Sequence, residues 1–477
     1  KVIVIDPRYS DTVASRADQW IPIRPGTDAA LVDAVAHVLI EEDLVDHDFL
    51  DTYCIGYDED HMPASAQGQN KSYKSYIMGL GEDGVEKTPA WAEAICGVPA
   101  DTIVDLAHQI AEAKPCSIWQ GKGPQRQSNG EQTARAICML PILTGNVGIN
   151  GGNTGSDLDG YYFSSFSLPR GDNPVEASIP TFLWTEAIDH GAELTATHDG
   201  VRGKDKLDVP IKMIFNYAGN CLTNQHSDIN ATHEILRDDT KCEFIVVWDT
   251  FLTDSAKYAD LLLPDLMPVE QPNFVSNDYA GNMGFIIMGQ AVTSPKFERK
   301  TLYSVLAEVA DRMGEKDEFT EGLDEEGWLK RCYDAACEGD PDLPSYDDML
   351  AQGVYRRKDP DGHQVALKDF RDDPEANPLS TPSGKIEFES SYVKNTDLTK
   401  TRYGGLYDAY PRWQPTYQDL PANDSYYHPW TQNYPLSMVT PVSTYRQHSA
   451  NDQNLQNDQV EGMLEAGADV LIINPVD

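Results

Sequence analysis

The 477-residue sequence has no Cys-x-x-Cys pair, no apolar run near the roughly 20 residues that span a bilayer, and far fewer bases than acids. The eight cysteines are Cys54, Cys96, Cys116, Cys138, Cys221, Cys242, Cys332 and Cys337, and only the last two are close together. That scatter argues against a zinc or iron–sulfur site built within these residues and fits isolated buried thiols. It leaves the redox compartment open. Apolar segments such as Phe244–Trp248 and Leu261–Leu263 have strand length instead. With 37 Lys and Arg against 77 Asp and Glu, the formal net charge is −40. A surface of that sign repels nucleic acid and anionic lipid head groups, so neither is an expected partner. Acidity of this degree serves solubility or a salty habitat and says nothing about fold. The chain also lacks an initiator Met. It opens on Lys1-Val2-Ile3-Val4-Ile5, already strand-like, and closes inside Val470-Leu471-Ile472-Ile473. Both termini therefore read as cuts through a larger protein, and a missing targeting signal carries no information.

What is present is an alternation of strands and helices in a chain long enough for about three domains. A hydrophobic share of 40% with 24% charged residues is that of a globular protein with buried cores. Val2–Ile5 lacks polar alternation, as a strand covered on both faces does. Trp20–Ile23 is a second strand candidate. Gly26-Thr27-Asp28 then opens a helix with Leu31, Val35, Val38 and Leu39 at the helical period, Thr27 or Asp28 serving as N-cap. A further strand-like run ends at Gln120, before the loop Gly121-Lys122-Gly123-Pro124-Gln125-Arg126. A helix bearing Ala134, Ile137, Leu140 and Leu143 comes next. Gly151, Gly152 and Gly155 mark a boundary, and a second α/β unit starts near Ile211 with strands at Lys212–Phe215 and Phe244–Trp248. Residues 317–348 read as acidic, solvated helices and 359–382 as an irregular Pro- and Asp-rich connection. The stretch from Tyr403 reads as the entry to a β-rich domain.

One internal repeat outweighs any single motif. Ile3-Val4-Ile5-Asp6 is followed by Ala17-Asp18 and Trp20-Ile21-Pro22. Val246-Val247-Trp248-Asp249 is followed by Ala259-Asp260 and Leu261-Leu262-Leu263-Pro264. The two Asp residues are twelve positions apart in the first copy and eleven in the second, with Ser10, Thr12 and Ser15 or Thr250, Thr253 and Ser255 between them. An Asp at the carboxyl end of a parallel strand sits where α/β sheets bind ligands, and its two oxygens can accept both hydroxyls of a ribose. The repeat implies two nucleotide sites, or one ancient duplication with one site lost. A nicotinamide site fits poorly, because neither strand leads into Gly-x-Gly-x-x-Gly and Pro7-Arg8 occupies the first turn. Guanine offers two adjacent N–H donors that one carboxylate can accept together. Asp28 is thus either a guanine reader or a plain helix cap.

Several motifs resemble those of a known family. Val2–Arg8 with Ile23-Arg24-Pro25-Gly26-Thr27-Asp28-Ala29-Ala30-Leu31, and Gly123-Pro124-Gln125-Arg126 leading to Leu143-Thr144-Gly145-Asn146-Val147-Gly148, are similar to molybdopterin oxidoreductases of the dimethyl sulfoxide reductase type. Asn216-Tyr217-Ala218-Gly219-Asn220, Asn224-Gln225-His226 and Thr381-Pro382-Ser383-Gly384-Lys385-Ile386-Glu387 resemble its membrane-anchored, three-subunit members. The likeness runs over nearly the whole chain and is weakest over 394–433. The expected fold is α/β: doubly wound, mainly parallel sheets in two Rossmann-like domains, 1–155 and 156–400, with the start of a β-barrel-like domain over 401–477.

The resemblance implies two molybdopterin guanine dinucleotides with molybdenum. It places Asp6, Gly26, Thr27 and Asp28 on one guanosine and Asn220, Asn224 and Asp249 on the other. Lys122, Gly123 and Arg126 would lie near a pterin or its phosphates, where a guanidinium forks onto anionic oxygens. Some relatives carry an aromatic at the place of Lys122. Gln271 matches another cofactor contact, and Arg446, His448 and Ser449 match a pattern beside the second pterin. Asn277–Asn282 either lines the approach to the metal or is a simple polar loop. The implied chemistry is oxygen-atom transfer from a sulfoxide. The cluster cysteines and the molybdenum-ligating serine would lie before Lys1, so no residue here is assigned as catalytic or metal-ligating. Implied partners are an iron–sulfur electron-transfer subunit and a quinol-oxidising membrane anchor subunit, outside the cytoplasmic membrane. Alternatives are another oxo-substrate (an N-oxide, nitrate, or a selenium or arsenic oxyanion) and a structural relative without cofactor.

Overall fold

Each copy of the repeat forms a short parallel strand pair. The computed structural model describes residues 1–63, 68–121, 123–126, 130–156, 168–169, 171–225, 228–276, 285–356, 365–390 and 410–414. They fall into two compact units, Lys1–Asp159 with Asp361–Val439, and Gly160–Pro360 with Thr440–Asp477.

In the first unit β1 (Ile3–Ile5) pairs in parallel with β2 (Gln19–Ile21), Ile3 opposite Gln19, across the short helix α1 (Asp11–Arg16). Gly26, at φ +75°, turns the chain into α2 (Asp28–Glu41). Every residue from Ala29 to Ile40 is buried, so α2 is a core helix rather than an amphipathic one. Around it pack α4 (Tyr73–Ile77), α5 (Pro89–Cys96), α6 (Ala100–Glu112) and α7 (Gly130–Leu143). The helix α3 (His47–Tyr53), which ends on the two-residue strand β3 (Cys54–Ile55), completes this part. The strand-like run ending at Gln120 is assigned to no strand, since side-chain amides rather than a neighbouring strand hold it.

The second unit begins with α8 (Trp184–His190) and α9 (Ala196–Asp199). A parallel sheet comes next, ordered β4 (Met213–Tyr217), β5 (Phe244–Asp249), β6 (Leu261–Pro264), with α10 (Cys221–Asn224) and α11 (Ile229–Leu236) in the crossover from β4 to β5. Ile188, Leu222, Ile235, Leu236, Ile245 and Val247 close one face of that sheet. An antiparallel sheet, β7 (Asn273–Ser276), β8 (Phe285–Gly289) and β9 (Val354–Arg356), is covered by α14 (Glu325–Gly339) and α15 (Tyr346–Gln352) through Tyr333, Tyr346 and Met349. The acidic stretch is helical as expected, with α12 (Leu302–Met313) and α13 (Lys316–Thr320) preceding these two helices.

Residues 365–390 are more ordered than their Pro and Asp content suggests. They carry α16 (Lys368–Asp372) and β10 (Ile386–Glu387), and β10 pairs in parallel with β3 in the first unit. Phe388 is fully buried against Tyr73, with ring centroids 5.0 Å apart. Arg371 donates to the carbonyl of Gly145 at 2.8 Å, and Tyr53 Oη donates to the carbonyl of Arg371 at 2.6 Å. The β-rich entry expected from Tyr403 lies outside the described residues apart from 410–414. Among the cysteines Cys54, Cys96 and Cys242 are buried, whereas Cys221 is exposed, against the expectation of uniformly buried thiols.

A buried carboxylate ties the 410–414 segment to α2. Asp33, fully buried, accepts the Tyr76 hydroxyl at 2.6 Å and the Trp413 amide at 3.3 Å on the same oxygen. The Tyr76 ring lies 4.4 Å from Lys87 Nζ and 5.0 Å from the Arg412 guanidinium. Burial pushes the Asp33 carboxyl up to about 7, against the pull of the two hydrogen bonds and the two cations. The folded state therefore holds a proton that the unfolded chain has released, over the range from 3.8 to about 7. Stability from this group falls as pH rises through that window. Asp33→Asn keeps an oxygen for both donors and is expected to flatten the decline, by up to ~4 kcal/mol at its top end. Thermal midpoints of both proteins across that range check this; parallel profiles would show that Asp33 does not set it.

Candidate functional site

The sequence repeat is a repeat of hydrogen bonds. Asp18 accepts the Val2 amide on Oδ2 at 2.7 Å while its own amide donates to the Val2 carbonyl at 2.8 Å. Asp260 does the same to Ile245, at 2.8 and 2.9 Å. The second Asp of each copy is thus a clamp on the first strand's amino end. The strand-end Asp behaves alike in both copies too. Asp6 Oδ1 accepts the Arg8 amide at 2.8 Å, and Asp249 Oδ1 accepts the Phe251 amide at 3.1 Å. Each carboxylate closes a tight Asx turn just past its strand. Its Oδ2 carries no hydrogen bond among the described residues, and the turn holds it at the sheet's carboxyl edge.

The intervening hydroxyls do different work. Ser10 caps α1 by accepting the Val13 amide, and Thr253 accepts the Ala256 amide at 3.1 Å. Ser255, fully buried, is the residue whose role spacing alone could not show. Its hydroxyl donates to Asn220 Oδ1 at 2.7 Å, and its amide donates to the same oxygen at 2.8 Å. The Thr223 hydroxyl reaches that oxygen at 3.2 Å. The loop after β4 is thereby tied to the loop after β5, which begins at Asp249. Asn220 and Asn224 are both buried at α10, so the structure brings Asn220 and the Asp249 loop together.

At the first copy Thr27 stands in the N-cap position of α2 but does not cap it, because its hydroxyl donates to the Arg24 carbonyl at 2.7 Å. Asp28 is the first helical residue. Burial raises its carboxyl, its own backbone amide pulls it down, and the charge of Asp6 raises it further. Asp28 thus stands at a helix amino end within electrostatic reach of Asp6, a setting that suits a ligand presenting N–H donors. Gly123 and Arg126 are exposed on a single helical turn, Pro124–Arg126, closed by the Arg126 amide on the Gly123 carbonyl at 3.0 Å. Gln271 is half-buried and lines a different cavity of about 580 Å³ with Phe274, Tyr303, Trp328 and Leu329. Lys122, His448 and Ser449, with Arg446 and Asn277–Asn282, lie outside the described residues. One cluster not singled out in the sequence, Asp51, Asp58 and His61, brings three possible metal-ligand atoms within 4.8 Å of one another.

These features define an α/β protein built on a duplicated parallel unit, with a carboxylate at each strand end where such sheets bind ligands. A family model described as Molybdopterin oxidoreductase matches residues 1–312. The putative dimethyl sulfoxide reductase chain YnfE of Escherichia coli K12 is 54% identical, aligned with 100% of this chain and 58% of its own length. Dimethyl sulfoxide reductase DmsA of the same strain is 51% identical, over 100% of this chain and 57% of its own. The chain thus spans little more than half the length of these curated relatives. Acetylene hydratase from Pelobacter acetylenicus shares the fold with a TM-score of 0.63 at 22% identity, covering 98% of this chain and 62% of that one. The chain belongs to the molybdopterin oxidoreductase family, which implies a molybdenum–molybdopterin cofactor.

Replacing Ser255 tests the tie between the two loops. Ser255→Ala leaves the Thr223 amide without its buried acceptor, 3.3 Å away, and removes one donor from Asn220. It should cost ~1–3 kcal/mol, read as faster amide exchange in β5 and in the α10 turn. Unchanged exchange at both places would show that the staple contributes nothing.

Proposed function

We propose that this chain is the dinucleotide-gripping part of the catalytic subunit of a respiratory dimethyl sulfoxide reductase. The observation that carries the reading is the doubled strand-end carboxylate, Asp6 and Asp249, in a chain whose relatives named for dimethyl sulfoxide align over all of it. Two such sites suit two molybdopterin guanine dinucleotides. Asp6 offers its second oxygen to ribose hydroxyls, and Asp28 accepts the paired N–H groups of guanine, with Gly26 and Thr27 shaping the turn. Asp249 does the ribose task in the second copy, with Asn220 and Asn224 on the same guanosine, and Asn220 also ties its loop to the one that begins at Asp249. Lys122, Gly123 and Arg126 meet anionic oxygens of a pterin arm, and Gln271, His448 and Ser449 complete the contacts.

When bound, the molybdenum–pterin group would supply the oxygen-atom-transfer chemistry that the reduction of a sulfoxide requires. This chain's residues bind and orient it. The metal's protein ligand and an iron–sulfur cluster belong to sequence outside residues 1–477. The partners are an iron–sulfur subunit and a quinol-oxidising membrane anchor, on the extracytoplasmic face of the cytoplasmic membrane.

Two measurements test this. The intact protein should contain molybdenum and guanine nucleotide and reduce dimethyl sulfoxide with reduced methyl viologen, while residues 1–477 alone should not; absence of both metal and guanine would sink the reading. Asp28 must be ionised to accept guanine, and its raised carboxyl protonates above the ordinary 3.8. Guanine nucleotide should therefore be lost on acidification before ordinary carboxylates titrate. Asp28→Asn should retain less at neutral pH, and that remainder should no longer respond to acid. Full retention by the variant would return Asp28 to a helix-starting role.

A further inference from the structure

The residue that caps the end of α5 also holds the turn that begins α2. An α-helix leaves its last four carbonyls without partners of its own, and in α5 these are the carbonyls of Glu93, Ala94, Ile95 and Cys96. The Gly97 amide meets that of Glu93 at 2.9 Å. Arg24 meets the other three. Its amide donates to the Cys96 carbonyl at 3.0 Å, and its Nη1 donates to those of Ala94 at 2.8 Å and Ile95 at 3.0 Å. The helix dipole favours a cation at this end. Gly97 leaves room for it, since a Cβ there would stand 3.1 Å from Arg24 Nε and 3.4 Å from Cζ.

On its other side Arg24 meets the start of α2. Its carbonyl accepts the Thr27 hydroxyl at 2.7 Å, and the Thr27 carbonyl accepts the amides of Ala30 and Leu31 at 3.0 and 3.3 Å. Between them lie Pro25, whose ring fixes φ at about −65°, and Gly26 in the left-handed region. Residues 24–27 thus form a stiff, closed loop, fastened to α5 on one side and leading straight into Asp28 on the other. Burial pushes the Cys96 thiol up, backbone hydrogen bonds and the Arg24 charge pull it down, and the Asp28 charge raises it again. The end of α5 therefore lies within electrostatic reach of both residues.

We propose that Arg24 is a positioning residue for Asp28, setting through the 24–27 loop where that carboxylate stands relative to Asp6. It acts through Asp28 and not by touching a ligand. Without the guanidinium the loop keeps one tie to α5, that of the Arg24 amide, and Asp28 can move away from Asp6 and into water. This role rests on the reading of Asp28 as the acceptor of guanine.

Guanine content and its acid response in the full-length gene product test the proposal, with Asp28→Asn measured alongside. Arg24→Lys keeps the charge but loses the planar fork, and at neutral pH it should retain at least about threefold less guanine nucleotide after dialysis. What it retains should be lost at lower pH than in the parent, because Asp28, released from burial and from Asp6, returns toward its ordinary 3.8. A cap that merely stabilised α5 would lower the thermal midpoint and leave that acid response in place. Gly97→Ala should reproduce both changes from the opposite side by displacing the guanidinium. Gly314→Ala is its control, since Gly314 ends α12 at φ +85° with the same left-handed strain and no atom within 4 Å of the added Cβ. Parent-like content or an unchanged acid response in Arg24→Lys would overturn the proposal, and so would equal losses in Gly97→Ala and Gly314→Ala. Full retention by Asp28→Asn would instead remove the functional reading, and this role with it.

Discussion

A parallel strand begins with an amide that the neighbouring strand cannot satisfy, and an unpaired buried amide costs about as much as a lost hydrogen bond. Here the first amides of two strands, that of exposed Val2 and that of buried Ile245, are met in one way. Asp18 and Asp260 stand one residue before the returning strand and reach back to Val2 and Ile245, accepting the amide and donating to the carbonyl. This two-way clamp sets where each strand pair starts, and so its register. Register in turn sets which residue arrives at the carboxyl edge. Asp6 and Asp249 are presented at strand ends because the opposite ends are pinned.

The same economy of side chains appears elsewhere. Asn146 and Asn153 stand in for a strand beside residues 116–118, and Asn220 with Ser255 stands in for backbone pairing between two loops. In a chain with net charge −40, these ties use neutral amides and hydroxyls rather than ion pairs.

The parts legible in the sequence are those where spacing and chemistry coincide. The helical period of Leu31, Val35, Val38 and Leu39 marked α2, and all four are buried. The repeated Asp pairs marked the two strand units. Which carboxylate of each pair clamps back onto the first strand was not legible, since an Asp before a strand and an Asp after one look the same in a sequence. Ser255 was visible only as one of several hydroxyls, because its weight comes from being fully buried beside Asn220, 35 positions away. Residues 116–120 read as a strand by composition, yet their partners are side chains. The pairing of β10 with β3 was beyond reach, as a two-residue strand has no period and Pro-rich flanks hide it.

That last pairing has a consequence for synthesis. Tyr53 meets Arg371 across 318 positions of sequence, and Phe388 fills a place among Tyr57 and Tyr73. A chain emerging from the ribosome has made the first unit's helices and both its early strands long before these residues exist. Residues 160–360, the longer stretch of the second unit, are likewise synthesised before residue 388, although that unit also takes in Thr440–Asp477. Until residue 388 is available, the first unit waits with an open aromatic pocket, an interval in which exposed apolar surface invites chaperone binding.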